Sequence, residues 1–262
     1  MSVDPASASV GLVEVRTEGA LAFVTLSQVG KLNAMSRAMW AGLQRAFEEL
    51  QTAASVRCIV VAGAAGHFCA GGDIAEYRDF RFAQDSLRHF HEVEVWGALQ
   101  AMLDCDVPML AAISGNCLGA GLEIASCCDI RIAASDARFG APIARLGFPM
   151  APRELQLVAS QVGPAIARGM VLEAAVLDAP SMQNCGFLNR VVMPQALAAE
   201  VGETTLRIRA LAPQAARHNK RTLRALRSTL APAAQDDAFG YAASAEHREG
   251  VAAFLDRRAP VF

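Results

Sequence analysis

The chain has 262 residues, a formal net charge of −2 and 53% hydrophobic residues. That is enough for one large domain with a substantial core, and it gives no global electrostatic basis for binding nucleic acid or an anionic membrane. The seven cysteines are odd in number and include no Cys-x-x-Cys, which argues against a zinc site and for reduced core residues.

The N-terminal segment, residues 1–10, is small and polar and reads as a loose tail, with no basic run followed by an apolar one. No signal peptide is therefore visible, and the expected location is cytoplasmic. Val13-x-Val15 and Leu21 to Leu26, flanking Glu18-Gly19, predict an antiparallel hairpin. Ser36 is placed to cap a helix reaching about Ala54, with Met39, Leu43, Phe47 and Leu50 at helical spacing. Cys58–Ala62 predicts a buried strand, Ile74 to Phe82 a short helix, and Leu87, Phe90, Val93, Trp96, Leu99 and Leu103 one longer helix. His89 and His91 are two apart, so they do not share a helix face as a metal pair would.

Met109–Ile113 is a second apolar strand, opened by Pro108 and closed by Ser114 and Gly115. Gly119-Ala120-Gly121 follows, and then Leu122, Ile124, Ala125 and Cys128 at helical spacing. The pattern is strand, small-residue turn, helix start. A helix start offers unpaired N–H groups and the positive end of the macrodipole, and small side chains let a ligand oxygen come close. Glu123 lies three residues beyond Ala120, on the same side of the helix. Taken alone, this turn also reads as ordinary tight packing with a helix-start anion. The stretch 58–74 repeats the design, however, running from an apolar strand into Ala70-Gly-Gly-Asp73. Two such turns suit a site at the carboxyl ends of neighbouring strands.

Asn116, Glu123 and the glycines before it argue against a membrane span over 107–128. Ile130–Ala133 predicts another strand, with a turn at Ala134–Ala137. Helices are predicted over Leu155–Val162 and Pro164–Leu172, an extended segment over Leu188–Val192 and a helix from about Gln195. Beyond residue 196 only helical segments are expected, broken at Pro213 and Pro232. Arg217, Lys220, Arg221, Arg224 and Arg227 form a basic stripe at helical spacing, read as a solvated face or a contact for phosphates rather than an RNA surface.

Phe68-Cys-Ala-Gly-Gly-Asp-Ile74, Gly115-x-x-x-Gly-x-Gly-x-Glu123 and Cys128-Asp129 together resemble the crotonase (enoyl-CoA hydratase/isomerase) superfamily. Lys31-Leu-Asn-Ala34, Phe139-Gly-Ala-Pro142, Leu146-Gly147 and Glu249-Gly-Val-Ala-Ala-Phe254 with Arg258-x-Pro-Val-Phe262 extend the resemblance over nearly the whole chain. It implies an α/β fold, a crotonase-like spiral of ββα units over 11–195. A C-terminal helical trimerisation region, 196–262, would follow, giving a homotrimer or a dimer of trimers. It implies an acyl-CoA or enoyl-CoA thioester as substrate, with coenzyme A as part of that substrate and no metal or redox cofactor. Gly72 and Ala120 would supply two amide donors to an enolate oxygen, with Glu123 as acid/base. Lys31, Leu32, Ala34, Ala70, Gly72, Asp73, Ile74, Ala75 and Ala120 would line the CoA and thioester site.

One departure bears on the reaction. Hydratases of the superfamily carry a second glutamate where this chain has Ile143, and Phe148-Pro-Met-Ala-Pro-Arg-Glu154 replaces a glycine-rich loop. Arg145, Arg153 and Glu154 are the charged residues nearby, and the expectation is that they are solvated. Hydration divides its work conveniently between two carboxylates. With one in sight, an acyl-CoA decarboxylase or a CoA-binding member without turnover stands beside the hydratase/isomerase reading.

Overall fold

The computed structural model describes residues 11–226 and scattered positions from 245 to 261. Strands β1 (Leu12–Glu18) and β2 (Leu21–Ser27) pair antiparallel, with Glu18 opposite Leu21 across the turn. Helix α1 (Arg37–Thr52) starts at Ser36, whose hydroxyl oxygen accepts the Met39 N–H at 3.2 Å. Met39, Leu43, Phe47 and Leu50 are buried on one stripe of it, as their spacing requires. After β3 (Cys58–Gly63), the expected short helix is a 3-10 segment, Ile74–Asp79. The longer one changes pitch midway: α2 (Gln84–His89) runs into a π-helical turn, Phe90–Val95, and then α3 (Trp96–Asp104).

The next stretch holds β4 (Met109–Ile113), β5 (Asn116–Leu118), α4 (Ala120–Cys127), β6 (Ile130–Ala134) and β7 (Arg138–Gly140). Beyond it come α5 (Pro152–Val162), α6 (Pro164–Leu172), β8 (Val176–Asp178), α7 (Ala179–Asn184) and β9 (Arg190–Val192). The described helices end with α8 (Leu197–Arg209) and α9 (Pro213–Ala225). Residues 1–10, Arg227, Pro232 and most of the terminal motif from 249 to 262 lie outside the described residues.

The six-stranded sheet has the order β1-β2-β3-β4-β6-β9, parallel from β2 onward. A smaller sheet, β5-β7-β8, stands beside it. Its three-residue strands escape the sequence reading because so short a run shows no period. They follow a rule all the same. Strands β4 and β6 each leave the large sheet, turn, and add a short strand to the small one, and a helical segment comes next. Strand β3 does likewise through Cys69, which bridges in parallel to Cys117 of β5. This is the ββα repeat, and it sets successive turns side by side.

The continuous apolar runs of β3 and β4 follow from burial on both faces. Ile59, Val61, Met109, Ala111 and Ile113 face the main core, with Leu43, Phe47, Leu99 and Leu122. Val60, Leu110 and Ile132 face the other way and meet Val201 of α8. Six cysteines are buried, Cys185 is half-buried, and all seven are free.

The basic stripe corrects an expectation. Lys220 is buried, donating to the Val107 carbonyl at 2.9 Å and lying 2.8 Å from Asp129. Arg224 donates to the Leu103 carbonyl and to Asp106, and Arg217 donates to the carbonyls of Ala53 and Val56. These cations take up carbonyls and acids at the ends of core elements, the pairing expected at helix carboxyl termini. No helix among the described residues is long and apolar enough to cross a membrane.

Candidate active site

Two backbone corners meet at the carboxyl ends of β3 and β4. Cys69 N–H donates to the Asn116 carbonyl at 2.8 Å, and Leu118 N–H donates to the Cys69 carbonyl at 2.9 Å, so the second corner is hydrogen-bonded onto the first. His67 Nδ1 accepts the Asn116 N–H at 3.2 Å, which makes this histidine a tie between the corners rather than a ligand contact. Gly121 is required by that closeness: a Cβ there would stand 2.5 Å from the Cys69 carbonyl oxygen. Gly119 turns the chain into α4 at φ 48° and ψ −113°, a conformation reserved for glycine.

The pairing also determines which amides stay free. Met35 bridges in parallel to Gly72, so it donates to the Gly71 carbonyl and accepts from Asp73 N–H, both outside Gly72 itself. The Gly72 N–H is left pointing the opposite way, with no acceptor among the described residues. Ala120 is the first residue of α4, where the N–H has no intrahelical partner, and it too has no acceptor among the described residues. Both residues line one cavity of ≈ 140 Å³.

Glu123 lines the same cavity, one turn into α4. It is 6% exposed, yet its carboxyl makes no hydrogen bond or ion pair with any described residue. Burial pushes its pKa well above the usual carboxylate range, and the charge of Glu154 pushes it further. A buried, unpartnered carboxyl is expensive to keep, and such groups gather where proton transfer is needed.

Glu154 is the second correction. Arg153 lies at the surface with its guanidinium over the Trp96 ring and Arg145 reaches the Ala174 carbonyl, but Glu154 is 4% exposed and lines the same cavity as Glu123. His91, in the π-helical turn, holds it at 2.8 Å from Nδ1 to Oε1. Ile143, from the 3-10 segment Pro142–Leu146, also lines the cavity and offers it only hydrocarbon. The remaining wall is mostly apolar and includes Trp40, Tyr77, Phe90, Phe148 and Met150. The chamber adjoins a wider cleft of ≈ 1030 Å³ through Ile74, Tyr77, His91 and Phe148, which line both.

Of the residues expected from the sequence, Ala70, Gly72, Ile74, Ala120 and Glu123 line the chamber and Ala75 lines the wider cleft. Lys31, Leu32, Ala34 and Asp73 line neither. Lys31, Leu32 and Asp73 brace the first corner. The Leu32 carbonyl accepts the Ala70 N–H at 3.0 Å, and Asp73 accepts from Lys31 Nζ at 2.5 Å, Gln28 Nε2 at 3.0 Å and Ala75 N–H at 3.2 Å. Burial alone would raise the Asp73 pKa; the Lys31 and Gln28 hydrogen bonds outweigh it and hold the group below its usual value. Asp73 is thus a carboxylate occupied by its own fold. The sequence carries no sign of the His91–Glu154 pair, because 63 residues separate the two.

A sequence profile of the enoyl-CoA hydratase/isomerase family matches residues 16–262. The chain is 31% identical over 248 residues to a crotonyl-CoA hydratase of Syntrophomonas wolfei, covering 92% of this chain and 94% of that protein. It is 31% identical over 244 residues to a 2,3-dehydroadipyl-CoA hydratase of Escherichia coli, covering 91% and 93%. Among solved structures, an enoyl-CoA hydratase/carnithine racemase from Magnetospirillum magneticum superposes with a TM-score of 0.92 at 36% identity, over 97% of this chain and 96% of that one.

Proposed function

Because this chain belongs to the enoyl-CoA hydratase/isomerase family, we propose that its chamber holds an acyl-CoA thioester and stabilises the enolate formed when the bond pattern at Cα changes. The thioester oxygen accepts from the Gly72 and Ala120 N–H groups, and Glu123 moves the proton at Cα. The observation that carries this is that two amides and one buried carboxyl, none with a partner among the described residues, line a single small cavity. Each amide is fixed by the fold before substrate arrives, so it stabilises developing charge without reorganising. The Ala120 donor adds the positive end of the α4 dipole. The apolar wall keeps water from screening either. Enolate formation of this kind asks for no metal or redox cofactor.

The names of the relatives support a short or carboxylated enoyl thioester as substrate, and crotonyl-CoA and 2,3-dehydroadipyl-CoA are the first two to test. Purified protein is assayed against a panel of enoyl-, acyl- and malonyl-type CoA thioesters beside Glu123→Gln. Turnover of an enoyl thioester that falls by about 10²–10⁴-fold in the variant is the expected result. Equal turnover by both proteins removes Glu123 from the mechanism.

A further inference from the structure

Water addition to an enoyl thioester needs a base at the water and an acid at Cα, and the position where the family keeps its second glutamate holds Ile143. However, α5 brings a different carboxylate, Glu154, to the cavity that Glu123 lines. Glu154 is the third residue of α5, which Pro152 opens at the first helical position, and it lines the cavity. Its Oε1 accepts from His91 Nδ1 at 2.8 Å, and no other hydrogen bond joins its carboxylate to a described residue. Arg81 Nη1 stands 3.5 Å from His91 Nε2. A guanidinium can only donate, so Nε2 accepts and the ring proton sits on Nδ1, facing Glu154. Arg81 is itself held over two rings, its Cζ 3.6 Å from the Phe148 centroid and 4.6 Å from that of Tyr77.

We propose that Glu154, held by His91 and Arg81, is the second acid/base of this site, so that the chain hydrates enoyl thioesters with a carboxylate moved from the 3-10 segment to α5. The inference rests on the acyl-CoA reading of the chamber. In the step it describes, Glu154 takes a proton from water as the oxygen bonds to Cβ. The π electrons of the double bond pass to Cα and the thioester oxygen, and Cα then takes its proton from Glu123. Glu154 ends protonated and Glu123 ionised, and exchange with solvent restores both. Glu123 suits the donor's part, since burial and the neighbouring charge of Glu154 favour its neutral form. His91 and Arg81 are positioning residues, acting through Glu154.

The test uses Glu154→Gln, which keeps an oxygen to accept from His91 and so preserves the wall. Two rates are measured on wild type and variant: hydration of crotonyl-CoA, and deuterium uptake at Cα of butyryl-CoA in D2O, which needs the amides and Glu123 but no attacking water. The expected result is a fall of about 10²–10⁴-fold in kcat for hydration with KM within about threefold. Deuterium uptake should fall by less than about fivefold. His91→Asn, which keeps an N–H donor, should retain more hydration than His91→Phe. Hydration by Glu154→Gln within about threefold of wild type overturns the proposal and leaves Glu123 doing both jobs. Loss of both rates in a folded Glu154→Gln overturns the division of labour, and so does a wild-type protein that exchanges Cα hydrogens but hydrates no enoyl thioester. If the wild type neither exchanges nor hydrates any thioester, the acyl-CoA reading falls and this inference with it.

Discussion

At Glu123 the fold buries a carboxyl and offers it no donor among the described residues, which leaves a mark on stability. The folded protein favours the neutral acid, so its pKa lies above the unfolded value near 4.5. Below that pH both states are protonated and the residue contributes no penalty. As pH rises past it, the unfolded chain releases the proton first and folding must hold it back, so stability falls with rising pH. Each unit of displacement is worth about 1.4 kcal/mol. Glu123→Gln removes the titration while keeping the shape. Thermal unfolding should therefore show the variant more stable than wild type at neutral pH, by roughly 2–4 °C per kcal/mol, with the gap closing as pH falls below 4.5. A gap independent of pH would mean that Glu123 titrates alike in the folded and unfolded chain, and would contradict the raised pKa. The candidate residues themselves were legible because small residues and one acid stand in short fixed runs. Glu154 was not, because a buried and an exposed glutamate look alike until the donor that faces them is known, and His91 arrives from a distant π-helical turn.

The elements matter through the distance between two corners. Cys69 of the first and Gly121 of the second leave no room for a β-carbon, and the obstructing atom is a backbone carbonyl that cannot swing aside. Gly121→Ala should push α4 away from the strand it rests on, destabilising the protein by roughly 1–3 kcal/mol as an overpacked core does. It should also lower kcat/KM, because the Ala120 and Gly72 amides would no longer converge. Urea unfolding with steady-state kinetics on the same preparation checks both, and a variant with native stability would show that the corners are not in tight contact. The long strands and α1 were readable from apolar runs and a Ser36 cap. The small sheet and the π-helical turn were not, since each is only a few residues long and is fixed by neighbours far away in the chain. These unread pieces position the site: β5 sets Ala120, and the turn delivers His91.

Over the whole molecule, the ββα repeat stacks the ends of β3 and β4 so that Gly72 and Ala120, from two successive turns, line one chamber, to which α5 adds Glu154. The basic stripe shows why charge patterns alone mislead at this scale. Lys220 and Arg224 looked like a surface, but Asp129 and Asp106, about a hundred positions earlier, were waiting for them across the fold. The claim beneath all of this concerns where one oxygen goes. A crystal structure with butyryl-CoA bound tests it most directly. The account predicts the thioester oxygen at about 2.7–3.1 Å from both the Gly72 and Ala120 nitrogens, with the Glu123 carboxyl facing Cα. A thioester oxygen bonded to neither amide would contradict it.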